Sequence, residues 1–273
     1  MCRNINNLGS MFRRIVGVSW RDANSEPLRT ERCPLTPPLR TVHQGDGLRW
    51  LHENPLAVDH ALVTSLPDVS EIPSLGFEGW RTWFIGAAEL GCRQVADTGV
   101  AIFFQTDIKW DGGWVDKAYL VQRGAEAAGS RLLWHKVVCR SPPGTTSFGR
   151  PAYAHMLCFS RELRLEPGQS SPDVLPGLGA MPWPRAMGTA ACEAVCTFLL
   201  AHTEARVVVD PFCGQGTMLA VANARGLDAV GVELSGKRAE RARNLSLASR
   251  SGRDSVRGSV RDLAPDIRTE RAD

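Results

Sequence analysis

No apolar run in this 273-residue sequence approaches the ~20 residues that a membrane-spanning helix requires, so no membrane association is expected. Nor do the eight cysteines, at positions 2, 33, 92, 139, 158, 192, 196 and 213, form a CxxC pair or combine with histidines at zinc-ligand spacing, so no metal is expected. They read instead as buried free thiols in a reducing, cytoplasmic compartment. Cys192 and Cys196, four apart on a predicted helix, could share a face. Charge of one sign is scarce too: a formal net charge of +3 permits a polyanionic partner without pointing to one. No internal repeat is visible. What remains is an ordinary globular balance, 43% hydrophobic and 22% charged, at a length that suits one large domain or two small ones.

Residues 1–40 mix polar residues with Pro34, Pro37 and Pro38 and show no sustained period, so a poorly ordered extension is expected there. The first twenty hold three arginines and no acid, which faintly resembles an organellar transit segment. A disordered extension, or a start codon set ahead of a true start at Met11, is the preferred reading. Beyond residue 40, strands and helices alternate. The pattern predicts strands at Thr41–His43, Ala61–Thr64, Val100–Gln105, Arg131–Cys139 and Ala154–Phe159. It predicts helices at Gly47–Asn54, Glu78–Gln94, Val115–Ala128, Thr189–His202 and Gly236–Leu247. Residues 107–116 read as a loop beyond a strand's C-terminal end, 141–151 as a Pro/Gly loop and about 165–185 as an irregular connector. Residues 248–273 are Ser, Arg and Asp with little apolar content, a flexible tail. The alternation predicts an α/β, doubly wound Rossmann-like sheet in a single domain over 41–247, its halves 41–160 and 186–247 joined by a connector at 161–185.

The most informative stretch is Val207-Val208-Val209-Asp210-Pro211-Phe212-Cys213-Gly214-Gln215-Gly216-Thr217. A β-branched run ends in an acid, and a Gly-x-Gly turn then opens into the helix-like Met218–Ala224. This is a strand, a glycine loop and a helix N-terminus, the geometry that brings a cofactor's polar end against backbone. A second apolar run, Ala229–Val232, ends in Glu233, placed to accept hydrogen bonds from ribose hydroxyls. An adenosine-containing cofactor is therefore expected. The dinucleotide pattern G-x-G-x-x-G lacks its third glycine here, and Asp210 would repel a pyrophosphate. The acid suits a cationic amino-acid moiety, which favours S-adenosylmethionine, whose ammonium and sulfonium are both positive.

Asp210-Pro211-Phe212-Cys213-Gly214-Gln215-Gly216-Thr217 resembles the DPF-x-G-x-G-T signature of S-adenosylmethionine-dependent amino-methyltransferases acting on nucleic-acid bases. In one class of these DNA and RNA enzymes the catalytic half precedes the cofactor loop, a circular permutation of the sheet. About 200 residues here follow that order. Gln44-Gly45-Asp46-Gly47-Leu48 resembles the G-D-x-L segment that opens such proteins, which implies that Asp46 lies near the cofactor adenine. Asp262, in Gly258-Ser259-Val260-Arg261-Asp262, could close a third strand in its place; Asp46 is favoured. Ser65-Leu66-Pro67-Asp68 stands where the family places its [D/N/S]-P-P-[Y/F/W] catalytic tetrapeptide. Leu133–Lys136 and Gly149–His155 are similar to the strands and loop that flank the target pocket. Met181–Leu200 is similar to the segment that closes over the methionine end. The resemblance thus implies cofactor contacts at Asp46, Ser65, Gly188, Asp210, Phe212, Gly214, Gly216, Thr217 and Glu233.

In the family's scheme, the first side-chain oxygen and the second carbonyl of the tetrapeptide accept hydrogen bonds from an exocyclic amine. This frees the nitrogen lone pair for in-line attack on the sulfonium methyl, while the final aromatic stacks on the extruded base. Ser65 and the Leu66 carbonyl can serve as those acceptors, and Pro67 keeps the turn stiff. Asp68 supplies no π-face, so stacking has to come from elsewhere. Trp110, Trp114, Phe148 and Tyr153 are the candidates for the substrate pocket, whereas Trp80 and Trp83, i and i+3 on a helix, read as core. Asp68 reads equally as a catalytic group or a solvated turn residue. His155 reads as structural, and His135-Lys136 stays open.

DNA enzymes of the permuted class usually carry a target-recognition insertion where this chain has its connector. A segment this short can hardly span several base edges in a major groove, unless a protein partner supplies recognition. A structured RNA, read by shape and exposed bases, is modestly favoured. Lys237, Arg238, Arg241, Arg243 and the tail arginines could attract phosphate, but interleaved acids make a solvated helix face an equal reading. The expectation is an S-adenosylmethionine-dependent methyltransferase of a nucleic-acid base. The alternatives are a methyltransferase-fold binding or scaffold protein without catalysis, motivated by the imperfect tetrapeptide, and a methyltransferase of small molecules or proteins.

Overall fold

The computed structural model describes residues 37–247, and the folded unit begins at Leu39. The expectations for residues 1–36 and for the tail, Asp262 included, lie outside the described residues. The elements in chain order are β1 (Arg40–Gln44), α1 (Gly47–Glu53), β2 (His60–Thr64), α2 (Gly76–Gln94), β3 (Ala101–Gln105), β4 (Ile108–Trp110), β5 (Gly113–Val115) and α3 (Lys117–Ala127). There follow β6 (Arg131–Cys139), β7 (Tyr153–Ser160), β8 (Val174–Leu175), α4 (Thr189–His202), β9 (Val207–Asp210), α5 (Thr217–Ala224), β10 (Asp228–Glu233) and α6 (Gly236–Asn244).

Eight strands form one sheet in the order β1-β10-β9-β2-β3-β7-β6-β8. The first five are parallel, and β7 runs antiparallel to both β3 and β6. Parallel strands buried on both faces need near-continuous apolar runs, which Ala61-Leu62-Val63, Ala101–Phe104 and Val208-Val209 supply. Alternate side chains then serve opposite cores. Leu62, Ala101, Phe103, Leu157 and Phe159 pack with Trp80, Phe84 and Val121 of α2 and α3. Ala61, Val63, Ile102, Met156 and Val208 pack with Cys192, Val195 and Leu219 of α4 and α5. The result is a doubly wound, Rossmann-like α/β sheet. Cys192 and Cys196 join the same core, and every described cysteine is free and buried.

β9 and β2 are neighbours at the centre, but the chain leaves them in opposite directions, from β9 to β10 and from β2 to β3. Connections that diverge in this way open a crevice at the carboxyl ends of the strands.

Three segments depart from expectation. Residues 107–116 are not a loop but a hairpin: β4 and β5 pair antiparallel around Asp111-Gly112. Both turn residues have left-handed φ, 46° and 74°. Asp-Gly is the dipeptide that a two-residue primed turn prefers. Accordingly α3 starts at Lys117 rather than Val115, with the Asp116 carboxylate accepting from the Tyr119 amide at 2.9 Å. The connector is not wholly irregular either. Val174–Leu175 add the edge strand β8, parallel to β6, and Lys136 donates to the carbonyls of Ser171 and Pro172 beside it. Finally, α6 stops at Asn244, short of Leu247, where Arg40 donates to the carbonyls of Ala242 and Leu245. Among the described residues, no helix is long and apolar enough to cross a membrane.

Candidate active site

The crevice over β9 and β2 is a cleft of about 910 Å³, a size that suits a nucleoside-sized ligand together with part of a second one. Every residue of Ser65-Leu66-Pro67-Asp68 lines it, as do Asp46, Asp210, Phe212, Gly214, Thr217 and Glu233.

The glycine loop has little freedom. Gly214 and Gly216 hold left-handed φ of 56° and 82°. A Cβ on Gly216 would meet Ala242 of α6 at 2.9 Å, and one on Gly214 would meet the Trp183 ring at 2.9 Å. The loop is thus threaded between a helix and an indole, and Trp183 Nε1 donates to the Thr217 hydroxyl at 3.0 Å. Asp210, at the end of β9, is fully buried. Burial pushes its carboxyl up to about 7, and the charge of Glu233 adds to the rise; hydrogen bonds from Thr64 and the Phe212 amide oppose it. Thr64 Oγ1 donates at 2.7 Å and the Phe212 amide at 3.1 Å.

Glu233 closes the next strand, buried, with Oε1 accepting from the Ser235 amide at 2.9 Å. Its backbone carbonyl accepts from the Gly45 amide at 3.1 Å, which brings the turn after β1 alongside. A Cβ on Gly47 would collide with the Pro211 carbonyl, so only glycine lets this turn press on the loop. Asp46 between them caps α1, accepting from the Arg49 amide at 2.8 Å. Gly188 is not brought into the cleft. It holds a φ of 88° before α4, packed on Leu178, while its neighbours Ala186 and Met187 reach the cleft wall.

The second half of the site follows β2 directly. Thr64, which donates to Asp210, precedes Ser65 in sequence. Trp80 Nε1 donates to the Pro67 carbonyl at 3.1 Å and pins the turn. Neither the Ser65 hydroxyl nor the Leu66 carbonyl is hydrogen-bonded among the described residues, so both acceptors are open to a ligand. Asp68 is no solvated turn residue. Its side chain is 14% exposed and accepts from Lys117 Nζ at 2.6 Å. Burial pulls the Lys117 ammonium down, against the pull of Asp68.

Lys117 is itself positioned by a chain of polar contacts. Its amide donates to Asp107 at 2.9 Å; Asp107 meets His155 Nε2 at 3.0 Å, and His155 Nδ1 meets His135 Nε2 at 2.9 Å. Burial pushes the Asp107 carboxyl up, but the bonds from His155 and the Lys117 amide outweigh it and hold the group low. The histidine pair therefore braces the Asp107 carboxylate that accepts from the first amide of α3.

No protein-family model matches the sequence, and no curated protein does. Solved structures do. A candidate DNA modification methylase of Thermus thermophilus, complexed with S-adenosyl-L-methionine, is 20% identical with a TM-score of 0.58, over 76% of this chain and 92% of that one. PvuII DNA methyltransferase, cytosine-N4-specific, is 15% identical with a TM-score of 0.56, over 76% and 87%. The M1.HpyAVI complex with SAM is 14% identical with a TM-score of 0.50, over 77% and 100%. The chain has a methyltransferase fold.

Within this methyltransferase fold the aromatic residues fall otherwise than expected. Trp110, Trp114, Phe148 and Tyr153 do not line the cleft. Trp110, 43% exposed, stacks on Phe77 at 4.8 Å and 4° on the hairpin, and Trp114 lies under Lys109. Phe148 is 84% exposed, and the Tyr153 hydroxyl sits 3.5 Å from Asp107. Trp83, expected in the core, packs against it and also lines the cleft, with its ring 5.9 Å from that of Phe212. Trp183 and Arg150 also line the cleft, within segments expected beside it though not singled out, and so do Lys117 and Arg140, which the sequence did not point to. Of those last two, Lys117 had a local signal, its place at the first turn of an Asp-capped helix.

Proposed function

We propose that this chain is an S-adenosylmethionine-dependent methyltransferase acting on the exocyclic amine of a nucleic-acid base, built in the permuted order. The observation that carries the reading is the Thr64 hydroxyl on Asp210. It ties the acid suited to the cofactor's ammonium to a turn that offers two unpartnered acceptors. The permuted order is supported by β9, which carries the glycine loop at the centre of the sheet yet follows six of its strands in the chain.

S-adenosylmethionine, when bound, supplies an electrophilic methyl on sulfur. Asp210 would hold its ammonium, Glu233 its ribose and Asp46 the adenine end, with Phe212, Gly214 and Thr217 as the floor; Gly216, expected there too, faces Ala242 of α6 and does not line the cleft. The Ser65 hydroxyl and Leu66 carbonyl accept the amine's hydrogens and turn its lone pair outward; Pro67 and Trp80 keep both in place. Glu233→Gln is expected to weaken cofactor binding about tenfold, the cost of removing a charged acceptor, with calorimetry as the measurement.

RNA loses its place as the favoured acceptor. The Thermus protein, spanned almost whole by this chain, leaves little room for a large recognition insertion, and it is a candidate DNA modification methylase. DNA is the first substrate to test. A second reading, a binding protein without chemistry, is favoured by Lys117 occupying Asp68 where the family has a stacking ring. Radiolabelled methyl transfer into DNA, RNA, protein and small-molecule fractions separates the two. Label in a nucleic-acid fraction, lost at least a hundredfold in Ser65→Ala, is the expected result, with cofactor affinity measured on the same variant. Cofactor binding without label in any fraction would favour the binding protein, and label confined to protein or small molecules would refute the nucleic-acid acceptor.

A further inference from the structure

Charge divides the cleft along the sheet. Asp46, Glu233 and Asp210 stand over β1, β10 and β9, with Arg238 on their rim 3.9 Å from Glu233; Lys117, Arg140 and Arg150 stand beyond β3 and β6, with the 65–68 turn between the two groups. The acidic side suits a cation. On the basic side, Asp68 is matched by Lys117 at 2.6 Å, and Arg150 reaches it only at 3.5 Å. Arg140 follows the end of β6, partly buried, and among the described residues no carboxylate pairs with it. Its Nη1 donates to the Thr106 hydroxyl at 3.1 Å. Burial, and after it the neighbouring charge of Arg150, pulls the Arg140 guanidinium down, and both side chains line the same cleft beside Asp68. Arg185, by contrast, is matched by Glu71 at 3.3 Å.

Lys117, Arg140 and Arg150 thus have the single carboxylate of Asp68 among them, and such an excess of guanidinium is the usual complement of a phosphate, which takes charge-assisted hydrogen bonds from the arginine forks. We propose that Arg140 and Arg150 form a subsite for a phosphate group of the acceptor, placed beside the catalytic turn. This deepens the reading of the cleft as the site of an amine acceptor, and rests on it for the word acceptor. The subsite also fits the replacement at Asp68. Where the turn carries no stacking ring, an ionic anchor on the phosphate holds the acceptor by its charge instead.

The test is equilibrium binding of short fluorescein-labelled single-stranded oligonucleotides, DNA and RNA, to the full chain, with and without S-adenosylmethionine, over a series of salt concentrations. Arg140→Gln is expected to weaken binding about tenfold, and the Arg140→Gln/Arg150→Gln pair to reduce the slope of log affinity against log salt by ~0.7, the share of the one phosphate the two would neutralise. A loss of packing alone would not move that slope. Arg150→Gln, at a side chain 41% exposed, carries the test should Arg140→Gln fail to fold. Competition with the four nucleoside monophosphates and their nucleosides identifies the source of the phosphate. Displacement by the monophosphates alone assigns the subsite to free nucleotides; displacement by neither assigns it to a polynucleotide. An unchanged salt slope in the variants, or a wild-type chain that binds neither oligonucleotide nor monophosphate, overturns the proposal. Cofactor affinity, followed in the same samples, reports separately on the methyltransferase reading.

Discussion

Asp210→Asn is expected to lose cofactor binding and, at the same time, to raise the stability of the unliganded protein. The carboxyl is fully buried and titrates at about 7, against about 4 in an unfolded chain. The folded state therefore holds the proton more tightly. Stability falls as pH rises from the unfolded value and levels off above the folded one, a loss on the order of 4 kcal/mol at most. Asparagine keeps an oxygen for the Thr64 hydroxyl and the Phe212 amide and never ionises. A melting temperature several degrees higher at pH 8, with little difference near pH 4, is the expected signature. Binding moves the other way. Removing one partner of a desolvated charge pair costs about 2–5 kcal/mol, so affinity for S-adenosylmethionine should drop at least thirtyfold. In the wild type, affinity should climb between pH 6 and pH 8 as Asp210 ionises, and the asparagine variant should lose that slope. Thermal melts and calorimetry across this range check both halves. An asparagine variant with unaltered affinity would remove Asp210 from the ammonium.

Lys117→Ala is expected to have the largest structural effect in the acceptor half. It leaves Asp68, 14% exposed, without its 2.6 Å partner, and strips the ammonium from its place 5.5 Å over the Phe84 ring. Breaking a buried pair on one side costs about 3–5 kcal/mol, whereas replacing both partners by apolar groups is often neutral. The double variant Asp68→Leu/Lys117→Met should therefore melt close to the wild type and bind cofactor normally. Its methyl transfer should fall about a hundredfold if Asp68 works on the acceptor. Denaturant melts beside labelled methyl transfer distinguish this from a pair that only holds the turn, for which turnover would survive in the double variant.

The cofactor half was legible because its signals are local. A β-branched run, two glycines and an apolar helix lie within eighteen consecutive residues, 207–224, and α4 was readable to the residue from its apolar spacing and flanking Gly188 and Thr203. The acceptor half was less so. β4 and β5 have three residues each, too few for a period to register, although Asp111-Gly112 marked their turn. Helical spacing put Trp80 and Trp83 on a helix but not on a face; one is wholly buried and the other lines the cleft. Asp68 and Lys117 are 49 positions apart, and Trp183 and Thr217 are 34 apart. Such pairs exist only once the sheet has assembled, and no window of sequence contains them.

The pairing of β1 with β10 has a consequence for synthesis. Leu39 and Arg40 bond to residues of the 228–233 strand and its neighbours, the Leu39 amide reaching Asp228 across 189 positions. On the ribosome the first strand therefore emerges long before its partner, and the central gap between β10 and β2 waits for β9. Pairings this distant in sequence form slowly and leave apolar edges uncovered in the interval. A nascent chain stalled before residue 207 would carry the Ser65–Asp68 turn at an open sheet edge, a natural substrate for chaperones until the last two strands arrive.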